Sequence, residues 1–366
     1  MKITKIYLSQ LQIPLPQPIR LGAIEIKTRD YVTVRVETDA GVYGEAAGYP
    51  RGTPLVEALS KVGRSMLGCD PLMRKQCLHN FERANITSLP AYSRALSLLD
   101  IALWDIAAKV AGLPLYHMLG GLRLQAPVTA VAGYYMHTRS IEDISAEVGL
   151  RIDQGYPRVK VMLHGEDQDF DVRYIQEVVR RAPGRVAADA HWTWKNMTEA
   201  MRFCRLIDDI GLAFLEDPFA PSAAHWTAQL QGKLQTPIAA GEDVVDMRAI
   251  HQLASNVAIL RVDATTCGGV TGALNAINLA GLEGCTVFPH VFAPLHIHLA
   301  CAFDHVEGVE YIPPQSGADP LDTFLLHPIA VNNGWMSPCH EPGAGLALDW
   351  EKVQSKASST TVIQPD

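Results

Sequence analysis

The sequence predicts an α/β barrel behind an α+β unit, and three observations carry that prediction. Short apolar runs alternate with helical stretches from about Pro127 to about Tyr311. Three of those runs end in acids, Asp189, Glu216 and Glu242, spaced 27 and 26 residues apart. A strand, loop, helix and return loop together take roughly 25 to 30 residues, so a repeat of this length is one βα unit. Ahead of the alternation lie strand-like segments and then a helical stretch from Leu55 to Ala111.

In chain order, Ile3 to Ile13 reads as a strand by its alternation. Tyr31-Val-Thr-Val-Arg-Val-Glu-Thr and the residues after Asp39-Ala-Gly read as a hairpin turning at that tripeptide. Between them Pro14 to Thr28, with Arg20 and Gly22, reads as a Pro-rich connection. That connection and Gly48 to Pro54 are equally well mobile lids or ordinary surface loops. Ala91 to Lys109 is an alanine-rich helix with small residues on one face. Beyond the barrel, Gly334 and Pro342-Gly-Ala-Gly mark an irregular return with a terminal strand, and the tail beyond Lys356 is expected to be disordered. The expected units are 1–124 for the α+β cap, 125–325 for the barrel, and 326–366 for the return to the cap and the tail.

Composition narrows the function classes. With 366 residues the chain holds a barrel of about 250 residues and a further unit. A net charge of −8 without a basic stripe argues against nucleic acid and anionic membranes as partners. The start lacks the apolar core of a signal peptide, and no apolar stretch is long enough to span a bilayer. Seven scattered cysteines without CxxC spacing read as thiols of a reducing compartment, so a cytoplasmic location is expected.

If strand ends share one face, Asp189, Glu216 and Glu242 converge there and repel one another unless a cation sits between them. Oxygen-only ligation suits a hard divalent ion, Mg²⁺ first and Mn²⁺ next. The same spacing places Lys160, Met162 and His164 on one side of the strand before Asp189. Asp263, His290 and Glu310 stand on later strand ends. In such barrels the chemistry is assembled where these ends meet.

With these residues in place, the sequence resembles the enolase superfamily, most closely its mandelate-racemase-like subgroup. The resemblance rests on Ala95 to Gly121, Val159-Lys160, Asp189-Ala, Glu216-Asp-Pro, Gly241-Glu242, Asp263 with Gly268-Gly269, and Pro289-His290. It implies a modified TIM barrel, (β/α)7β, with an α+β capping domain completed by the C-terminal segment. It also implies Mg²⁺ ligation by Asp189, Glu216 and Glu242, and a homo-oligomer, dimer or octamer. The implied reaction removes the proton beside a substrate carboxylate. His290 would be the base and Asp263 its orienting partner, with Lys160 neutralising the enediolate and a protonated Glu310 donating a hydrogen bond.

Two departures shift the expected chemistry. Many relatives carry Lys-x-Lys where this chain has Lys160-Val-Met162, so one face of the substrate lacks its base. The usual Asp-x-Asn reads Asp189-Ala-His191, which resembles acid-sugar dehydratases whose histidine protonates the departing 3-hydroxyl. The expected reaction is therefore loss of water from an acid sugar to give a 2-keto-3-deoxy acid. Racemisation, epimerisation or lactone cycloisomerisation through the same enediolate is the alternative, and a non-catalytic metal-binding barrel the third reading. His191 could equally fill the asparagine's structural slot. His164 is a rival acid or a loop residue. The Gly268-Gly269 turn could hold a substrate anion or mark a tight loop.

Overall fold

The structure, a computed structural model, describes residues 1–21 and 24–365. The chain opens with β1 (Ile3–Leu21), β2 (Ile24–Thr38) and β3 (Tyr43–Gly48), an antiparallel meander. The Pro-rich stretch expected as a connection forms instead the long arms of the β1–β2 hairpin, with a register shift between Pro14 and Ile19. Pro14, Pro16 and Pro18 are two residues apart, so their donor-less nitrogens face one edge and the irregular pairing absorbs them. Gly22, expected in that segment, lies outside the described residues.

Helices α1 (Leu55–Met66), α2 (Arg74–Ala84), α3 (Ser93–Ala111) and α4 (Leu115–Met118) follow. The small-residue face of α3 packs on β3. At Gly44 a Cβ would stand 2.0 Å from the Ala102 carbonyl oxygen, so only glycine permits this approach. Buried Asp105 of α3 accepts hydrogen bonds from Glu45 N and Ala344 N, tying the sheet and the C-terminal return to one helix.

Eight parallel strands then alternate with seven helices. The strands are β4 (Ala126–Ala132), β5 (Arg158–Met162), β6 (Val186–Asp189), β7 (Leu215–Glu216), β8 (Ile238–Ala240), β9 (Ile259–Val262), β10 (Thr286–Pro289) and β11 (Val309–Tyr311). The intervening helices are α5 (Ile141–Asp153), α6 (Gln168–Arg181), α7 (Met197–Cys204), α8 (Ala224–Gln231), α9 (Met247–Ala254), α10 (Gly269–Glu283) and α11 (Ala293–Ala300). Neighbours pair in order from β4 to β10. Closure comes from β11 on β4 and from the residues just before β11 on Val287 of β10.

Registers Lys160↔Ala187, Met162↔Asp189, Asp189↔Glu216 and Arg261↔Phe288 set which side chains point inward. At the amino end of the barrel, Ala187, Phe214, Ala239, Ile259 and Phe288 form a small apolar cluster of their own. Arg158 lies over the rings of Phe214 and Phe288. The fully buried Arg261 guanidinium sits 4.6 Å from the Phe288 centroid. The apolar layer thus carries a cation, and the carboxylates stand beyond it.

After the barrel, β12 (Val331–Asn332) and β13 (Trp335–Met336) pair with each other and β13 pairs antiparallel with the start of β4, and α12 (Trp350–Lys356) leads into β14 (Ala357–Ile363). The expectation of a disordered tail beyond Lys356 is corrected here. β14 pairs antiparallel with Ile6 to Leu11 and completes the four-stranded sheet. Its Ser and Thr residues face outward while Ile363 is buried against Ile6, so a polar composition conceals an edge strand with one anchoring side chain.

Candidate active site at the carboxyl ends of the barrel strands

The strand ends deliver the expected groups to one place. Lys160 Nζ lies 3.2 Å from Asp189 Oδ2, 2.9 Å from Glu216 and 2.5 Å from Glu310 Oε1, all of them buried. Burial disfavours the lysine's charge, but Glu216, Glu310 and Asp189 outweigh it and hold its pKa well above the usual value. Arg261 is a second buried cation, to which the sequence reading gave no role. Its Nε is 3.0 Å from Glu216 Oε1, its Nη2 3.5 Å from Glu242 Oε2, and it pairs with Glu310. Its Nη1 donates to the Phe288 and Pro289 carbonyls. A lone arginine inside the apolar run Ile259-Leu-Arg-Val was the available signal.

Arg261 also corrects the expectation for Glu310. A protonated, hydrogen-bond-donating Glu310 assumed that neighbouring anions raise its pKa. Burial does push it up, but Arg261 and Lys160 outweigh burial and hold it well below the usual carboxylate range. Glu310 is an ionised partner of two cations, and it accepts from Val291 N at 3.2 Å. Asp217 is the carboxyl driven the other way, by burial and by Glu242 and Glu216.

His290 Nδ1 stands 2.9 Å from Asp263 Oδ2, while its Nε2 is 3.3 Å from Glu242 Oε1 and 3.5 Å from Arg51 Nη2. Asp263 Oδ1 accepts from the Thr265 amide and hydroxyl. Burial opposes the charge on Asp263, yet the His290 and Thr265 hydrogen bonds help bring it down to about 2. Burial likewise lowers the His290 pKa, and Glu242 with Asp263 reverses this to a net rise. Arg51, within the stretch Gly48 to Pro54 read as either a lid or a surface loop, reaches Glu242 Oε1 at 3.4 Å.

His191 follows β6 in a left-handed conformation (φ 43°), as does Trp192 (φ 61°), and the two rings stack 4.4 Å apart. Val291 and Phe292 after β10 are left-handed too, a cost that concentrates where side chains are re-aimed at strand ends. The His191 amide donates to Asp189 Oδ1 at 2.9 Å, and burial holds its imidazole below the usual pKa. Lys160, Met162, Asp189, His191, Glu242, His290 and Glu310 all line one inner cavity, closed over by Ile19, Leu21 and Ile26 of the β1–β2 hairpin.

The remaining candidates lie elsewhere. β5 ends at Met162, so His164 is not aligned with Lys160; its Nε2 meets His137 Nδ1 at 3.0 Å near the surface. His296 is fixed between Ala264 N and Val291 O. At the start of α10 two of the amides are engaged within the fold. Gly268 N donates to Ser97 Oγ and Thr271 N to Asp100 Oδ2, both on α3. Asp100 comes so near that a Cβ at Gly269 would stand 2.2 Å from its Oδ2. Arg20 pairs with Glu25 in solvent.

As a donor set, Asp189, Glu216 and Glu242 fit a hard divalent ion in kind. Glu216 Oε2 is buried, with Lys160 Nζ at 2.9 Å but no donor aligned on it. Among the described residues, however, no three His, Cys, Asp or Glu side chains are gathered as a preformed metal cage. Lys160 and Arg261 pair with these acids instead.

Comparison with known proteins agrees with this architecture. Residues 3–120 match the mandelate racemase / muconate lactonizing enzyme N-terminal domain, and residues 143–353 match the enolase C-terminal domain-like family. The chain is 32% identical over 262 residues to L-talarate/galactarate dehydratase of Salmonella typhimurium LT2, covering 70% of this chain and 63% of that enzyme, less than two thirds of its length. It is 28% identical over 364 residues to L-Lys-D/L-Arg epimerase of Methylococcus capsulatus, covering 94% and 99% of the two chains. The crystal structure of L-talarate dehydratase from Polaromonas sp. JS666, complexed with Mg and L-glucarate, superposes with a TM-score of 0.88 at 24% identity, over 100% of this chain and 99% of that one. The fold is accordingly a TIM barrel with an N-terminal capping domain, and the chain belongs to the enolase superfamily, in its mandelate-racemase-like subgroup.

Proposed function

We propose that the protein is a Mg²⁺-dependent hydro-lyase that removes the proton α to a carboxylate and expels the hydroxyl on the next carbon. The observation that carries this reading is a single base pair, His290–Asp263, in a cavity whose β5 wall presents Met162 instead of a second base. Asp189, Glu216 and Glu242 would hold the ion. When bound, it supplies Lewis-acid stabilisation of the enediolate charge.

The chain's own residues account for the proton movements. Asp263 accepts from Nδ1–H of His290 and thereby leaves Nε2 to take the α-proton. Lys160, kept charged by its three acids, adds a fixed positive charge beside the forming dianion. His191 is the second imidazole on the cavity and would give a proton to the departing 3-hydroxyl. The C–O bond breaks with the electron pair leaving as water. The enol then tautomerises to the 2-keto-3-deoxy acid. Similarity to L-talarate/galactarate dehydratase supports an acid-sugar substrate.

Epimerisation, racemisation or cycloisomerisation is the second reading, favoured by the apolar hairpin residues Ile19, Leu21 and Ile26 over the cavity and by the full-length epimerase relative. Incubating aldonic and aldaric acids with Mg²⁺ in D₂O separates the two. Keto acid detected with semicarbazide supports dehydration. Deuterium entering the α-carbon without loss of water supports the isomerase.

A further inference from the structure

We propose that Cys69 and Cys77, at the corner where α1 turns into α2, form a redox-modification site in which a hydroperoxide joins the two thiols in a reversible disulfide that braces the capping domain. The site stands apart from the barrel chemistry. All seven cysteines are free thiols. Five of them stand on separate elements: Cys204 ends α7, Cys267 precedes α10, Cys285 precedes β10, Cys301 follows α11 and Cys339 lies in the C-terminal return. Cys69 and Cys77 flank one tight turn, and the fold brings the second back over the first.

Asp70 makes that turn. Its Oδ1 accepts from the Leu72 amide at 3.1 Å and its carbonyl from the Met73 amide at 2.9 Å, so the chain reverses and enters α2 at Arg74. The first turn of α2 then carries Cys77 back: its Sγ donates to the Asp70 carbonyl at 3.1 Å, beside Cys69 in the chain. The backbone of Cys69 is fixed in turn. Its amide donates to the Met66 carbonyl at 3.0 Å, and its carbonyl accepts from the Ile3 amide at 2.9 Å. The Cys69 thiol itself has a distant partner, the Ser65 carbonyl at 3.9 Å, so turning it towards Cys77 gives up little. Burial pushes the Cys77 thiol up to about 12, and the neighbouring Cys69 thiol pushes it the same way through its charge and a hydrogen bond.

The two thiols differ in the way that assigns their order of reaction. Cys69 is partly exposed and meets the oxidant, whereas Cys77 is buried. The Cys69 thiolate attacks hydrogen peroxide and the O–O bond breaks. Cys69 becomes a sulfenic acid, and the other oxygen leaves as water with the proton that Cys69 gave up. The Cys77 sulfur then attacks the sulfenic sulfur, the S–O bond breaks, and the hydroxyl leaves as water with the Cys77 proton. In sum, two thiols and one hydrogen peroxide give one disulfide and two waters. A small thiol reverses the step by exchange at Cys69. While it lasts, the disulfide ties α2 to the segment that Ile3 of β1 holds, and this removes freedom from the unfolded chain.

The test takes the full reduced chain, adds a few equivalents of hydrogen peroxide, blocks remaining thiols with iodoacetamide and digests with trypsin. Trypsin cuts after Arg74 and Lys75, so the two sulfurs fall on separate peptides that only the disulfide joins. Mass spectrometry should find Cys69–Cys77 as the main disulfide, and dithiothreitol should remove it. The oxidised chain should melt several degrees higher than the reduced one, and Cys69→Ser treated alike should show no such rise. Cys77→Ser should consume the Cys69 thiol as fast as wild type but hold it as a sulfenic acid that dimedone captures. Cys69→Ser should leave Cys77 a free thiol. The site is overturned if both thiols survive while other cysteines oxidise, if the main links run to other cysteines or between chains, or if wild type yields as much dimedone adduct as Cys77→Ser. A linked chain that melts no higher than the reduced one overturns the brace.

Discussion

Asp263 Oδ2 sits 2.9 Å from His290 Nδ1, and Asp263 Oδ1 is occupied by Thr265, so the aspartate has one free edge and the imidazole takes it. That geometry decides which ring nitrogen carries the proton. Nδ1 donates, and Nε2 is left facing Glu242 and the cavity.

Replacing Asp263 with Asn removes the charge while retaining the shape, and lets the amide donate where the carboxylate accepted. The ring would then be held in the wrong tautomer. The expected loss of α-proton exchange is about 10²- to 10⁴-fold. His290→Asn should be at least as severe. Deuterium uptake by NMR measures both, and near-wild-type exchange in His290→Asn would remove the assigned base.

Arg261 is the other pivot, because one guanidinium touches Glu216, Glu242 and Glu310. Arg261→Met leaves buried carboxylates without their counter-charge. Breaking a buried pair from one side costs about 3–5 kcal/mol. Urea unfolding without added metal should show a loss of that order, and Mg²⁺ should recover more stability in the variant than in the wild type. A loss under about 1 kcal/mol would mean that Lys160 alone holds the acids.

The barrel was legible because a 26–27-residue spacing of strand-end acids is a consequence of βα geometry, and Asp189 and Glu216 do stand opposite each other in register. Glu310's ionisation was not legible, since it depends on a cation two strands earlier in the sequence that reads as an interruption of an apolar run. The Pro-rich arms of the β1–β2 hairpin and the edge strand β14 were missed for a related reason. Their composition argues for loop and disorder, while long-range pairing with β2 and β1 supplies the order.

Metal addition gives a reading independent of turnover. An ion that binds only the folded chain stabilises it by RT ln(1 + [L]/Kd), about 2.7 kcal/mol at one hundred times Kd. Thermal melts should shift upward with Mg²⁺ and return on chelation, and Asp189→Asn should blunt the shift. No response of the wild-type melt to millimolar Mg²⁺ or Mn²⁺ would count against the carboxylate triad as ligands.

The acid limb of stability should carry a signature of His298, far from the proposed metal ligands. Its Nδ1 accepts from the Tyr116 amide at 3.2 Å, and its ring is fully buried. Burial, aided by His340 and His117, pushes its pKa down to about 3. Between pH 3 and the ordinary value near 6.5, the unfolded chain therefore binds a proton that the native chain refuses. His298 stabilises the fold above about pH 6.5, and this contribution drains away as pH falls, by up to about 1.4 kcal/mol per unit. Asp100 and Asp322, each raised by burial to about 6, act with the opposite sign: the native chain binds their protons first, so acidification from about 6 towards 4 favours folding. Total stability mixes these contributions, so the test is a difference. In His298→Asn an amide oxygen can still accept from Tyr116 but cannot titrate. The stability gap between wild type and variant should narrow or invert from pH 7 to pH 4.5, read by urea unfolding at each pH. A gap independent of pH would show that His298 takes up its proton as readily folded as unfolded.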